Sequence, residues 1–261
     1  MERKKIGLAL SGGGARGFAH IGVLKVLAER NITFDMIAGT SAGAIIGGCL
    51  AAGMTPLEIE IMASKVGYVN MMRPAFSPKG VLSNVPLGNF LRRELPVDRF
   101  ENLAIPFAAV AFDIKAGQEI VFKDKGDLVT AIRASCAVPG VFVPVNDGEG
   151  RLLVDGGVTS VLPVDAVRSL GAEIVISIDV LACGSTFNSM PKTAVGIMIR
   201  SAINLIRSAS NDQKSRSDLT IEPQIAHLRP DQIRKREEFI RLGEDAGRDN
   251  VASILTFIQQ I

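Results

Sequence analysis

The sequence predicts an α/β fold, a mostly parallel sheet covered by helices. Short apolar runs at residues 5–10, 34–40 and 105–112 read as strands buried on both faces. Helix-length stretches follow the first two runs, at 17–30 and from about Ala42 to Ala52. Glycine clusters stand at both strand-to-helix turns, around Gly12–Gly14 and Gly39–Gly43. An alternation of strand, helix, strand and helix builds parallel pairs through crossover connections.

In the first helix Lys25 and Glu29 mark a solvated edge. Residues 54–100 break the rhythm. Met54, Met62, Met71, Met72 and Phe76 are set among Pro56, Pro74, Pro78 and Pro86, which fits short helices and irregular loops. Residues 105–112 and 118–123 form a hairpin through a turn at Ala116-Gly117. Residues 127–136 are helical and stop before Pro139. Residues 151–154 and 174–180 are strands, with a helix over 163–170 between them. Residues 192–209 form an amphipathic helix: Val195, Met198, Ile199, Ala202, Leu205, Ile206 and Ala209 face one side, Lys192, Arg200 and Arg207 the other. Packing of that face on the protein's own core is preferred to a membrane surface. A last helical stretch runs from about 231 to 260, with a break expected near Gly243 or Gly247. No repeat or linker is visible. One domain is expected over 1–261, with a motif-bearing core at about 5–180 and a helical completion at about 190–261.

Composition removes several function classes. Lys plus Arg number 29 and Asp plus Glu 27, a net charge of +2, which gives no reason to expect a nucleic-acid partner. Trp is absent and Tyr occurs once, which argues against an aromatic platform for single strands. Cys49, Cys136 and Cys183 are odd in number and widely spaced, reading as small buried residues rather than a disulfide or metal framework. A reducing cytoplasm is the expected location. Arg3-Lys4-Lys5 before Ile6–Leu10 resembles a signal peptide, but the apolar stretch is too short and no cleavage site follows. The uncharged stretch Met36–Leu57 is interrupted by five glycines, Thr40, Ser41 and Thr55, against a membrane span.

Gly39-Thr40-Ser41-Ala42-Gly43 fits the G-x-S-x-G nucleophile elbow, with a strand before and a helix after. Such a turn strains the serine backbone and presents its hydroxyl at the sheet edge, near a helix N-terminus. The loop Ser11-Gly12-Gly13-Gly14-Ala15-Arg16-Gly17 follows the first strand. Its backbone N–H groups suit an anion, either as an oxyanion hole or, by the G-x-G-x-x-G match at Gly12, Gly14 and Gly17, as a dinucleotide pyrophosphate site. The second strand ends in the serine elbow instead of a ribose-binding carboxylate, which favours the oxyanion hole. Asp155-Gly156-Gly157 places a carboxylate at a strand end. Asp113 and Asp179 are rival carboxylates, and His20 and His227 are the two histidines.

The combination of SGGGARGFAHIGVLKVL, GTSAG, ASCAVPGVF and LVDGG, in this order, resembles the patatin-like phospholipases, more narrowly short bacterial members related to neuropathy target esterase. The resemblance covers roughly residues 5–180. It implies a three-layer α/β/α fold and hydrolysis of lipid carboxylic esters through an acyl-enzyme, with Ser41 as nucleophile and Asp155 as base. It also implies an oxyanion hole in Gly12, Gly13, Gly14, Ala15, Arg16 and Gly17. Gly39, Thr40, Ala42, Gly43, Gly156 and Gly157 shape the two turns. No metal or organic cofactor is implied. The expected partner is a lipid ester, met transiently at a membrane or micelle surface; nothing indicates an oligomeric state. A lipid transacylase and a noncatalytic lipid-binding module are the alternatives. Arg16 has two readings, an anionic head-group contact and a loop-stabilising one. The Met-rich 54–78 segment also has two, a flexible acyl-chain cover and ordinary core packing. His20 is read as a structural histidine.

Overall fold

A computed structural model describes residues 3–67, 71–182 and 193–259, apart from the side chains of 194–196, 198–200, 202–203 and 259. Cys183, Lys192 and the side chains of Val195, Met198, Ile199, Arg200 and Ala202 therefore lie outside the described residues.

The chain opens with β1 (Ile6–Leu10), α1 (Phe18–Glu29), β2 (Met36–Thr40), α2 (Ala42–Ala51) and α3 (Pro56–Ser64). A short hairpin of β3 (Arg73–Pro74) and β4 (Leu82–Ser83) precedes α4 (Val85–Glu94). Then come β5 (Phe107–Asp113), β6 (Gln118–Phe122), α5 (Leu128–Ser135), β7 (Val145–Asn146), β8 (Leu152–Asp155) and α6 (Val164–Arg168). The chain ends with β9 (Ile174–Ile178), α7 (Ala194–Lys214), β10 (Leu219–Ile221) and α8 (Arg236–Gln259).

The main sheet runs β10-β9-β1-β2-β5-β8-β7, with β6 also paired to β5. From β10 to β5 all pairings are parallel, and β6, β7 and β8 pair antiparallel. Every position of β1, β2 and β9 is buried, which is why their sequences are unbroken apolar runs rather than alternations. Leu8, Leu10, Ile37 and Phe107 enter one core with α1–α5 and α8. Ala9, Ala38, Ala108 and Val110 enter a smaller core against α6. The fold is thus the expected helix–sheet–helix sandwich, with one helical layer much thicker than the other.

Three expectations change. The last helix is continuous from Arg236 to Gln259, with no break. Its glycine instead permits a close crossing with α1: a Cβ on Gly243 would lie 2.1 Å from the Ala19 carbonyl oxygen, and one on Gly22 1.9 Å from that of Ile240. Helix α7 extends to Lys214, and Leu205 on its expected core face is 71% exposed. Among its described residues the fully buried side chains are polar, Ser210 and Gln213. The Gln213 side chain accepts from Leu162 N–H at 2.8 Å and donates to the Thr159 carbonyl at 2.6 Å, tying α7 to the turn beyond β8. Lys25 is not a solvated edge. It bridges Glu60 and Glu244 at 2.8 and 2.7 Å, joining α1 to α3 and α8. Among the described residues no helix is long and apolar enough to cross a membrane.

Candidate active site

The topology brings Ser41 and Asp155 together. On one edge of β5, β2 pairs in parallel with Phe107–Val110 and β8 pairs antiparallel with Ala111–Asp113, while β6 occupies the other edge. The two strands therefore run toward each other along that edge. Thr40 is opposite Val110 and Asp155 opposite Ala111, so the carboxyl ends of β2 and β8 meet head to head. Ser41 and Asp155 both sit at this junction.

Ser41 adopts φ 54° and ψ −121°, a conformation that costs a non-glycine residue about 1–3 kcal/mol. The turn is held on every side. A Cβ on Gly39 would lie 2.3 Å from the Gly43 carbonyl oxygen, and one on Gly43 2.2 Å from that of Leu10. The Thr40 hydroxyl donates to the Ser160 carbonyl at 2.6 Å. The Ser41 N–H donates to the Ser135 hydroxyl at 2.8 Å, and the Ser41 carbonyl accepts the N–H of Ala44 at 2.9 Å. Ala42 begins α2 directly behind the serine.

Asp155 is buried, and its carboxylate accepts the Gly157 N–H at 2.7 Å. Gly156 is pressed against β5, where a Cβ would lie 2.3 Å from the Val110 carbonyl oxygen. Burial raises the Asp155 pKa from its ordinary 3.8 to about 6, opposed by the Ser41 hydroxyl and the Gly157 N–H. Desolvation therefore outweighs the two hydrogen bonds. The rivals have other duties. Asp113 accepts the N–H of Lys115 at the β5–β6 turn, and Asp179 accepts those of Leu181 and Ala182 and the Ser210 hydroxyl.

The segment Ser135-Cys136-Ala137 carried no assigned role in the sequence, and it touches both residues. Ser135 holds the Ser41 N–H, and the Ala137 carbonyl accepts the Asp155 N–H at 2.9 Å. Between them the Cys136 thiol interacts with the Ser41 hydroxyl. Burial, reinforced by the Asp155 charge, pushes its pKa well up, so it stays a thiol. The only foreshadowing was its place within ASCAVPGVF, a motif whose residues look like ordinary core.

The glycine-rich loop divides its donors. Gly12 N–H donates to Val161 at 2.9 Å, Ala15 N–H to Pro230 at 2.7 Å, and Arg16 N–H to Gly13 at 3.2 Å. Gly17 is buried under Ala42, at the start of α1. Gly13 and Gly14 N–H groups have no acceptor among the described residues. The N–H groups of Gly12, Ala15 and Arg16 are thus committed within the protein, and those of Gly13 and Gly14 are open to an acceptor. Arg16 is fully buried and aimed away, donating to the Leu228 carbonyl at 3.0 and 2.8 Å. That is the loop-stabilising reading, and it removes the head-group one.

His20 is fully buried and uses Nε2 against the Ser11 carbonyl at 2.9 Å, at the root of the same loop. A carbonyl only accepts, so Nε2 carries the proton. Burial lowers the His20 pKa to about 4. His227 lies on the surface beside Glu238, 3.3 Å away. Neither histidine is hydrogen-bonded to Ser41. Among the described residues no cluster of His, Cys, Asp and Glu has the arrangement of a metal site.

Ser41 opens onto a cavity of about 360 Å³, at the lower end of the size range of small-molecule sites. Its wall includes Phe18, Ile45, Met62, Met71, Met72, Leu87, Phe90, Val141 and Phe142, with Gly14 and Cys136 beside the serine. Met62, Met71 and Met72 of the 54–78 segment are therefore wall, Met62 is also core, and Met54 packs against the core. The lining is almost wholly apolar, and Ser41 contributes a hydroxyl to it.

A family model, the patatin-like phospholipase, matches residues 8–168, a span holding the glycine loop, Ser41 and Asp155. The chain belongs to this family. An uncharacterized NTE family protein of Mycobacterium tuberculosis is 39% identical over 177 residues, 67% of this chain and 48% of the relative. The human patatin-like phospholipase domain-containing protein 6 is 36% identical over 182 residues, 67% of this chain and 13% of the relative. The chain thus spans about half the length of the mycobacterial relative and far less of the human one. The fold resembles VipD of Legionella pneumophila, with a TM-score of 0.57 at 16% identity over 97% of this chain and 67% of that one. It also resembles the type III effector ExoU, with a TM-score of 0.54 at 13% identity over 97% and 53%.

Proposed function

We propose that this protein hydrolyses lipid carboxylic esters through a Ser41–Asp155 dyad. The observation that carries this reading is the junction itself: a strained serine against a buried carboxylate, opening on an apolar cavity of about 360 Å³. Family membership supports the same substrate class. Asp155 takes the proton of the Ser41 hydroxyl as Oγ attacks the ester carbonyl. The resulting oxyanion is met by the N–H groups of Gly13 and Gly14. Collapse expels the alcohol, which leaves with the proton from Asp155. Water then attacks the acyl-serine, giving its proton to Asp155, and the fatty acid departs as Ser41 regains a proton. The acyl chain lies along the Met- and Phe-lined cavity. A carboxylate with a pKa near 6 is a usable base at neutral pH. The protein acts from a cytoplasmic location.

The deciding experiment is incubation of the purified protein with a long-chain phospholipid in mixed micelles. Free fatty acid should accumulate, and a fluorophosphonate should add covalently to the peptide carrying Ser41. Absence of both would overturn the proposal.

Ser135 is a positioning residue in this scheme. Ser135→Ala leaves the Ser41 N–H without its acceptor, at a cost of about 1–3 kcal/mol. The loosened elbow should lower kcat by roughly tenfold to a hundredfold with KM nearly unchanged, because positioning and not substrate contact is lost. Ser135→Thr, which keeps a hydroxyl, should recover much of the rate. Steady-state kinetics of the two variants check this; a wild-type kcat in Ser135→Ala removes the role.

A further inference from the structure

The β3–β4 hairpin stands beside the cavity and ends in an uncovered aromatic side chain. Phe76 at its tip is completely exposed, at 108% of the reference value, and Val81 is 64% exposed. Full exposure of a phenylalanine costs about what its burial would yield, roughly 1.5–3 kcal/mol, so something is expected to cover it.

The hairpin is a fixed platform. Arg73 pairs with Ser83 and Pro74 with Leu82, and the Ala75 N–H donates to the Val81 carbonyl at 3.0 Å. Its second strand is fastened to the cavity wall. Val81 and Leu82 N–H groups both donate to the Val141 carbonyl, and the Val143 N–H donates to the Leu82 carbonyl at 2.8 Å. A Cβ on Gly80 would lie 2.4 Å from the Val143 nitrogen, so the backbones lie directly against each other. Val141 and Phe142 line the cavity, and so do Met71 and Met72, which lead into β3. Val138 also lines the cavity and is 40% exposed.

Charge identifies the occupant. Arg73 and Lys79 flank Phe76 on the hairpin, both exposed. Among the described residues neither forms an ion pair. The acid that lines the cavity, Asp231, is already met by Arg229 at 2.7 Å. An apolar point between two uncompensated cations, next to an apolar cavity, matches an anionic lipid–water interface. Such a surface attracts each basic side chain by about 1 kcal/mol and buries the apolar one.

We propose that the 73–83 hairpin docks this protein on anionic lipid bilayers, with Phe76 as the inserted anchor and Arg73 and Lys79 as its cationic flank. The inference rests on the lipid-ester reading only for its purpose, which is to set the cavity rim against the layer that supplies substrate.

The test is co-sedimentation of the whole protein, as Ser41→Ala so that lipid is not consumed, with vesicles of phosphatidylcholine alone or containing one third phosphatidylglycerol. Binding to the anionic vesicles is expected, falling as salt rises. Phe76→Ser should weaken it by roughly ten- to a hundredfold, the equivalent of one phenylalanine side chain. Arg73→Gln and Lys79→Gln should each weaken it by about fivefold. Thermal unfolding of each variant at the wild-type temperature shows that the loss is not misfolding. Equal binding to both vesicle types, no binding to either, or unchanged binding by Phe76→Ser overturns the proposal. Because the assay needs no turnover, the two readings fail separately. Vesicle binding with neither fatty-acid release from micelles nor fluorophosphonate labelling sinks only the hydrolase. Release from micelles without vesicle binding sinks only the docking surface.

Discussion

Ser41→Ala is expected to lower ester hydrolysis by roughly 10⁴- to 10⁶-fold and to abolish fluorophosphonate labelling, the scale seen when an acyl-transfer nucleophile is removed. The residual rate would come from the cavity and the loop N–H groups alone. Folding should survive, because the elbow is held by the Ser41 backbone N–H and carbonyl, while its hydroxyl bonds only to the Asp155 and Cys136 side chains. Ser41→Gly sharpens the expectation. Glycine adopts φ 54° without strain, so this variant should be as inactive as Ser41→Ala yet more stable, by about 1 kcal/mol or more. Fatty-acid release and thermal unfolding, measured on the three proteins together, test both halves. Activity retained in Ser41→Ala, or labelling at another serine, would exclude Ser41 as the nucleophile.

Asp155→Asn should reduce kcat by roughly 10²- to 10⁴-fold, the usual contribution of a positioned base. The wild-type rate should fall about tenfold per pH unit below about 6 and level off above it, following ionisation of Asp155. Stability should move the other way. The folded-state pKa is raised, so the favourable contribution is fully present below about 3.8 and is lost as pH rises through about 6. At pH 8 the folded chain holds a buried charge that the unfolded chain keeps in water. The gap between 3.8 and about 6 corresponds to as much as roughly 3 kcal/mol. Asparagine keeps an acceptor for the Gly157 N–H and carries no charge, so Asp155→Asn should be more stable than the wild type at pH 8 and no more stable near pH 4. Denaturant melts at the two pH values measure this. A variant that is destabilised at pH 8, or a pH–rate profile flat down to pH 4, would show that the carboxylate is not the buried base described.

A gain in stability at the cost of rate, at both Ser41 and Asp155, is the signature of a site held in a conformation that folding alone would not choose. The segment Ser135–Ala137 and the glycine turns make that conformation sustainable, since they bind the backbone on both sides of the junction.

What the sequence determined by itself was everything that local chemistry dictates. Unbroken apolar runs marked the strands, because burial on both faces leaves no alternation to read. The elbow was visible because its two glycines are neighbours of the serine they accommodate. The DGG turn was visible for the same reason. Tertiary structure alone decided how the pieces meet. No local signal says that β2 and β8 share one edge of β5, although that sharing sets Asp155 against Ser41. Nor does one say that the Arg16 side chain reaches the Leu228 carbonyl, 212 residues further on, and so turns away from Ser41. On α7 an apolar stripe records only that one face differs from the other, not which of its positions finds a partner. Gln213 found one and Leu205 did not. Turns and strands are written in the residues that form them. Partners distant along the chain are selected by packing, and packing is a property of the assembled core.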